Sequence, residues 1–296
     1  MEELAGCPIC NSSERKPFLS CVDHFLSKET FQIVECLVCG LRYTNPRPAS
    51  GQLGKYYQSP EYISHTNTHK GIFNRIYQLV RNYTLSGKYR LITQYIHTGT
   101  ILDIGCASGE FLHVMKSRGW KATGIEPDEK TRQRAIENYG IDVIDESGLT
   151  VIPDGTIDVI TLWHVLEHVP DLNGRLKEIH RILKREGLVI IAVPISDSFD
   201  AGKYSAHWAG YDVPRHLYHF TKKTMMILLE RHSFQLIKTL PMKFDAFYVS
   251  LLSEKYKQGK MKWLSGFWNG YCSNREASKS GDYSSLIFIS RKRSEK

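Results

Sequence analysis

No apolar run in the sequence approaches the roughly 20 residues that a membrane-spanning helix needs. The most hydrophobic stretch, Leu188-Val-Ile-Ile-Ala-Val-Pro-Ile195, reads instead as a buried strand. The first residues, MEELAGCPIC, are acidic and lack the basic-then-apolar pattern of a secretory signal, so the expected setting is the cytoplasm. Cysteine is scarce beyond residue 40, where only Cys106 and Cys272 of the seven remain, which excludes a disulfide scaffold through the body of the chain. The composition, 42% hydrophobic and 24% charged over 296 residues, is that of a soluble globular protein with room for one large domain and an appendage.

Acidic charge is lacking in the last third. Residues 201–296 hold 17 Lys/Arg against 7 Asp/Glu, a balance of +10, whereas the first 200 residues come to −2 within the overall +8. A basic C-terminal third suits an anionic substrate, a membrane surface or nucleic acid. The terminal Arg291-Lys-Arg-Ser-Glu-Lys296 reads more simply as a frayed, solvated tail.

What is present begins with the cysteines. Cys7-Pro-Ile-Cys10 and Cys36-Leu-Val-Cys39-Gly40 form two C-x-x-C knuckles. Each can aim two thiolates at one ion, and together they complete a tetrahedral sulfur shell for zinc, which iron could also fill. Gly40 suits the tight turn such a knuckle requires. Redox pairs or disulfides fit less well, since no βαβ pattern surrounds the cysteines. Cys21 reads as a packing residue. Residues 1–48 are therefore expected to form a small zinc ribbon, with Phe31-Gln-Ile-Val-Glu35 as one strand, closed by Asn45-Pro-Arg-Pro48. Residues 53–97 read as helical, from Tyr56, Tyr57 and Tyr62 through the spacing of Ile72, Phe73, Ile76, Leu79 and Val80. The span 49–98 would be a helical linker or lid.

After Thr98-Gly-Thr100, the stretch Ile101-Leu-Asp-Ile-Gly-Cys-Ala-Ser-Gly-Glu-Phe-Leu112 runs from a short strand through a glycine turn into a helix, the opening of a doubly wound α/β domain. A dinucleotide site would show G-x-G-x-x-G. This loop is G-x-x-x-G, Gly105 to Gly109, preceded by Asp103, whose carboxylate opposes a diphosphate and favours a cationic group. The next strand, Ala122-Thr-Gly-Ile-Glu126, ends in an acid able to accept both hydrogen bonds of a ribose diol.

These segments, with Pro153-Asp-Gly-Thr-Ile-Asp-Val-Ile160, Leu166-Glu-His-Val-Pro-Asp171 and Glu178-Ile-His-Arg-Ile-Leu-Lys-Arg-Glu-Gly-Leu188, resemble the class I S-adenosylmethionine (SAM)-dependent methyltransferases over residues 99–195. Cys7 to Pro48 is similar to the zinc-binding segment carried by one branch of them, related to the quinone-pathway enzymes. The resemblance implies a Rossmann-like α/β fold: a seven-stranded, mostly parallel sheet with helices on both faces, occupying residues 99–296. Leu188–Ile195, Gln235–Pro241 and Leu286–Ser290 would be its final strands. By the same resemblance, SAM would be held by Asp103, Gly105, Cys106, Gly109 and Glu126, with Glu146 or Ser147 near adenine and Trp163 lining the site.

Acceptor chemistry points to two further segments. Residues 196–220 carry His207, Trp208, Asp212, Arg215, His216, Tyr218 and His219 in a long connection above the sheet's carboxyl edge. Arg215 suits a carboxylate or phosphate and His207 or His216 a proton, while the structural alternative pairs Arg215 with Asp212. Residues 244–282 are aromatic and basic, and read as a pocket lid, a dimer contact or an interfacial helix. The lid comes first, because no long apolar stripe is evident.

His164-x-x-Glu167-His168 matches an inverted zinc-protease pattern and would put three side chains on one helical face. In the quinone-pathway enzymes the similar segment reads E-x-x-E-H and is associated with a divalent metal. His164 replaces the first acid here and is the candidate base. The expected activity is methyl transfer from SAM to a small-molecule acceptor, anionic or aromatic, with O-methylation favoured over C- or N-methylation. The alternatives are a prenylated or lipid-linked acceptor at a membrane surface, and an RNA-binding ribbon on a degenerate fold. The near-neutral ribbon does not call for nucleic acid.

Overall fold

A computed structural model of the chain describes residues 1–57 and 72–293. Strands β1 (Arg15–Val22), β2 (Thr30–Cys36) and β3 (Arg42–Thr44) pair antiparallel in sequence order. In β2, Phe31 and Ile33 are buried while Gln32 between them is exposed, the period-two pattern of a sheet covered on one face. The turn joining β1 to β2 is closed by Asp23, whose carboxylate accepts from the N–H groups of Phe25, Leu26 and Ser27 at 3.0, 3.1 and 2.8 Å.

The sequence pattern predicts helix across 53–97. Within the described part of that span, a short 3-10 segment occupies Ser50–Tyr56 and helix α1 spans Ile72–Thr93, with residues 58–71 outside the described set. Tyr62 falls outside the described residues, as do the side chains of Ile72, Phe73, Ile76 and Leu79. Val80 is 36% exposed, so at that point the spacing does not mark a buried stripe.

The rest of the chain alternates: β4 (Thr100–Ile104), α2 (Glu110–Lys116), β5 (Lys121–Ile125), α3 (Glu129–Tyr139), β6 (Asp142–Ile144), β7 (Ile157–Trp163), α4 (Leu172–Ile182) and β8 (Leu183–Pro194). There follow α5 (Phe199–Tyr204), β9 (Tyr218–His219), α6 (Lys222–Arg231), β10 (Phe234–Pro241), α7 (Asp245–Gln258), α8 (Trp263–Ser280) and β11 (Ser285–Lys292). Seven strands form one mixed sheet in the order β10-β11-β8-β7-β4-β5-β6, with β4 parallel to both β5 and β7, and β5 parallel to β6. This is the expected Rossmann-like methyltransferase sheet. Residues 188–193 of β8 are all fully buried, as the unbroken run of apolar side chains requires of a strand covered on both faces. Arg291 and Lys292 belong to β11 and not to a frayed tail; residues 294–296 lie outside the described set.

Strand β9 joins the N-terminal sheet rather than the large one, pairing Arg42 with His219 and Tyr43 with Tyr218. Part of the 196–220 connection is thereby fixed to the cysteine-bearing segment. The chain divides into two compact units, each assembled from separate stretches. One comprises Met1–Ser59, His164–Arg175 and Ile191–Ile289, the other Pro60–Trp163, Leu176–Ile190 and Ser290–Lys296.

Candidate cofactor and acceptor sites

In the second unit, β4 ends in a turn that requires positive φ at three positions. Gly105 and Gly109 have φ of +70° and +83°, and Ala107 between them also lies at positive φ. The N–H groups of Gly105 and Cys106 both donate to the Ile125 carbonyl, at 2.7 and 3.0 Å, which ties the loop to the end of β5. The Cys106 side chain packs against the strand: a Cβ at Gly124 would collide with its sulfur. Burial, with Asp103 and Glu126 nearby, pushes this thiol up, so it stays neutral.

Glu126 is 9% exposed and its carboxylate bridges two backbone donors, Ala107 N–H and Asp128 N–H, each at 3.0 Å. Burial raises its pKa, partly offset by those bonds. Asp103 is buried and accepts from Thr161 Oγ1 at 2.5 Å. Desolvation lifts it to about 7, against the Thr161 bond and the charge of Lys88. The Lys88 ammonium sits 4.1 Å from the Trp163 ring centroid, a cation on an aromatic face. Trp163 also meets Phe111 edge-on, and its buried Nε1–H has no hydrogen-bond partner among the described residues. The unit therefore combines an acid, an aromatic face and an orphan donor. Glu146 and Ser147 are exposed on the turn after β6, where Asp145 accepts from the Ser147 backbone at 2.8 Å.

The first unit holds the histidine cluster. His164 does not begin a helix: its φ is +58°, Leu166–His168 form a 3-10 turn, and α4 starts only at Leu172. The expected shared helical face is absent. His164 donates its backbone N–H to Ala192 O at 2.9 Å, and its Nε2 lies 2.9 Å from Asp245 Oδ2 at the start of α7. Nδ1 faces Glu167 at 3.5 Å. Partial burial disfavours the charged ring, but the two carboxylates outweigh it and raise the pKa to about 10.

Glu167 is fully buried, and neither carboxylate oxygen has a hydrogen-bond partner among the described residues. His168 and His216 bring ring nitrogens within 4.8 Å of it and of each other, a group able to hold a metal ion. His168 Nδ1 lies 2.9 Å from Tyr57 Oη and 3.1 Å from Arg215 O, and His216 Nδ1 lies 2.8 Å from Gly210 O. Burial and the neighbouring His216 pull His168 down to about 4.

Arg215 is not available to an anionic acceptor. Its guanidinium is 1% exposed and spends its donors on Asp212 (2.9 and 2.7 Å), Asp23 (3.4 and 2.9 Å) and the Tyr56 carbonyl (3.1 Å). The structural pairing with Asp212 is the one observed, with Asp23 added. His207 stacks on His24, ring centroids 5.5 Å apart, and does not join the other histidines. Sequence reasoning missed Lys88, Asp245 and Asp23. Each meets its partner across a long stretch of chain, and no local pattern marks it.

At the N-terminus, Cys7 and Cys39 sulfurs are 3.4 Å apart, as are those of Cys10 and Cys36, and all four lie within 4.8 Å of one another with no disulfide among them. A tetrahedral zinc shell with bonds of about 2.3 Å needs sulfurs about 3.8 Å apart, so the four fit around one ion. The hydrogen bond between Cys7 and Cys39 pulls the Cys39 thiol down and pushes the Cys7 thiol up, so the two share one proton. The Cys21 thiol is buried and pushed up to about 12, consistent with packing.

A family model described as a methyltransferase domain matches residues 75–239, more than half of the chain. The chain belongs to the methyltransferase-domain family. The matched domain is a methyltransferase domain of the SAM-dependent kind. The ubiquinone biosynthesis O-methyltransferase of Pseudomonas paraeruginosa is 33% identical over 101 residues, 31% of this chain and 43% of that protein. The 2-methyl-6-phytyl-1,4-hydroquinone methyltransferase of Synechocystis sp. is 31% identical over 99 residues, 31% of each chain. The matches thus span less than half the length of these relatives. Among solved structures, the 1,6-didemethyltoxoflavin-N1-methyltransferase of Burkholderia thailandensis, with S-adenosylhomocysteine bound, superposes with a TM-score of 0.53 at 14% identity, covering 94% of this chain and all of that one. The [4+2]-cyclase SpnF superposes equally well, at 16% identity over 84% of this methyltransferase and 99% of the cyclase. The shared fold therefore does not fix the reaction.

Proposed function

We propose that this methyltransferase transfers the methyl group of SAM to a hydroxyl of a small aromatic or anionic acceptor, and that a zinc ion held by four cysteine thiolates stabilises its N-terminal sheet. The observation that carries the cofactor reading is the loop Gly105–Gly109 joined through Ala107 to the Glu126 carboxylate. Glu126 would accept the ribose hydroxyls, the glycine turn would admit the methionine moiety, and Glu146 or Ser147 would lie by the adenine. Asp103 and Trp163 already accommodate one cation, Lys88, and that donor set suits a sulfonium. The buried Trp163 Nε1–H, which meets no acceptor among the described residues, would be able to donate to the cofactor.

When bound, the sulfonium supplies an electrophilic methyl, so the chain has to align the acceptor and exclude water. A base is needed only for an acceptor that is not already ionised. With a pKa near 10, His164 is an imidazolium at neutral pH. It would orient an acceptor oxygen by donating Nε2–H to it once that oxygen displaced Asp245, and would act as a base only after losing that carboxylate let the ring give up its proton. His216 and His207 take lesser roles, as a partner of the buried Glu167 and as a stacking group. The relative named as a ubiquinone biosynthesis O-methyltransferase favours oxygen as the methylated atom, and the one named for a hydroquinone favours a hydroxylated ring as the acceptor.

Calorimetric titration with SAM tests the cofactor reading: no heat of binding by wild type, or equal affinity in Glu126→Ala, overturns it. Incubation of cell extract with methyl-labelled SAM then tests the acceptor. Label on an aromatic oxygen supports O-methylation, and label on carbon, nitrogen or protein replaces it.

A further inference from the structure

The residue pattern of the insertion at 244–282 shows no long uninterrupted apolar stripe, and the structure gathers its large apolar side chains between Trp263 and Tyr271 on one face of α8. Helix α8 is built inside out. Its inner face is made of small residues, Gly266, Asn269, Gly270, Ser273 and Ala277, all buried. A Cβ at Gly270 would lie 2.7 Å from Phe247 Cα, so α7 and α8 approach too closely there for any larger side chain. The large apolar groups consequently point the other way. Trp263, Leu264, Phe267, Trp268 and Tyr271 are 50%, 90%, 50%, 65% and 53% exposed. At 3.6 residues per turn they cover an arc of about 140° opposite the glycine face. An exposed apolar face of this size on a helix otherwise well anchored calls for an occupant.

The charge beside it says which kind. The last turn of α7 carries Lys255 and Lys257 and the connection to α8 carries Lys260 and Lys262, all exposed, with no acid between residues 255 and 262. A second copy of the chain, docked face to face, would bring two such lysine clusters together and be repelled. An anionic lipid surface answers both features. Tryptophan and tyrosine rings settle at the headgroup boundary, leucine and phenylalanine enter the acyl edge, and the lysines meet lipid phosphate. No helix among the described residues is long and apolar enough to cross a membrane, so contact through this helix would be peripheral. We propose that the outer face of α8, with the lysines preceding it, is a docking surface for anionic membranes.

The inference concerns a surface and does not depend on the acceptor. Full-length protein is mixed with phosphatidylcholine vesicles containing about a third phosphatidylglycerol, and in parallel with pure phosphatidylcholine vesicles, then sedimented at low and high salt. The expected result is binding to the anionic vesicles, about tenfold or more weakened in Leu264→Asp and in the Lys257→Glu/Lys260→Glu double variant, and reduced by salt. These side chains are exposed, so the fold is retained, and SAM calorimetry on the same samples checks this separately. Absence of binding by wild type, or equal binding by Leu264→Asp, overturns the proposal. So does a wild-type dimer in sedimentation velocity that Leu264→Asp converts to monomer without any vesicle binding, which assigns the face to a second copy.

Discussion

His164 Nε2 lies 2.9 Å from Asp245 Oδ2, joining the residue after β7 to the first turn of a helix 81 positions later in the chain. His164 holds a left-handed backbone conformation that β-strand and α-helix both exclude. A non-glycine residue in that conformation is retained only where its surroundings impose it.

Asp245→Asn removes the stronger of the two carboxylate contacts and should return His164 towards its ordinary value. The sign follows from linkage. A folded-state pKa raised to about 10 contributes stability that is complete below the unfolded value of about 6.5 and is lost as the pH rises through 10. The ring is one-third exposed, so the effect is discounted for solvent screening to about 1 kcal/mol. Urea titrations at a series of pH values should show the variant less stable below pH 6.5 and converging on wild type near pH 10. A pH-independent difference would assign the loss to packing.

Arg215 and Asp23 are buried together, 1% and 0% exposed at the side chain. Removing one partner strands the other charge, at about 3–5 kcal/mol, so Arg215→Ala should unfold at markedly lower urea concentration. Arg215→Lys should recover little, because an ammonium cannot form the forked contact to two carboxylates. Burial works against the Asp23 carboxylate, but Arg215 and the turn N–H groups hold it at about 2. The pair's contribution is therefore complete above about pH 4 and disappears as the pH falls through 2. Wild-type stability of Arg215→Ala would remove Arg215 from the framework.

Cys36→Ser leaves three thiolates and should lose zinc, measured as metal per chain by atomic emission after gel filtration. With it should go several kcal/mol of stability, since binding energy at a structural site is folding energy. Protease cleavage should then begin within β1–β3 while SAM binding persists. Iron in place of zinc in the purified protein would correct the metal and keep the site.

These cases show why some of the fold was legible in the sequence. The order of strands around Asp103 and Glu126 could be read because apolar runs and glycine spacing are local signals, and the paired C-x-x-C knuckles carry their geometry within a few residues. The pairing of Arg42 with His219 could not be read, since a two-residue strand has no periodicity to detect. The direction of the aromatic stripe on α8 was hidden because its glycines, and not its apolar residues, face inward. Arg215 stayed between two readings for a different reason. Its partner Asp23 sits in a turn nearly 200 residues earlier, and a guanidinium in a long loop looks the same whether it meets substrate or framework.

Asp103 supplies the last prediction. Burial is the main cause of its pKa near 7, with Glu126 adding to it and Thr161 and Lys88 opposing. A cationic ligand placed nearby favours the ionised form, so SAM binding should expel a proton from Asp103 below pH 7. Affinity should therefore tighten as the pH rises through 7 and level off above it. Calorimetry in two buffers of different ionisation enthalpy reads the proton release directly. In Asp103→Asn the cofactor's own titration remains while the step near 7 disappears, and affinity above pH 7 falls about tenfold or more. A wild-type step that survives in Asp103→Asn would move the titration to Glu126, whose carboxylate is also raised by burial and could then be examined as Glu126→Gln in the same buffers.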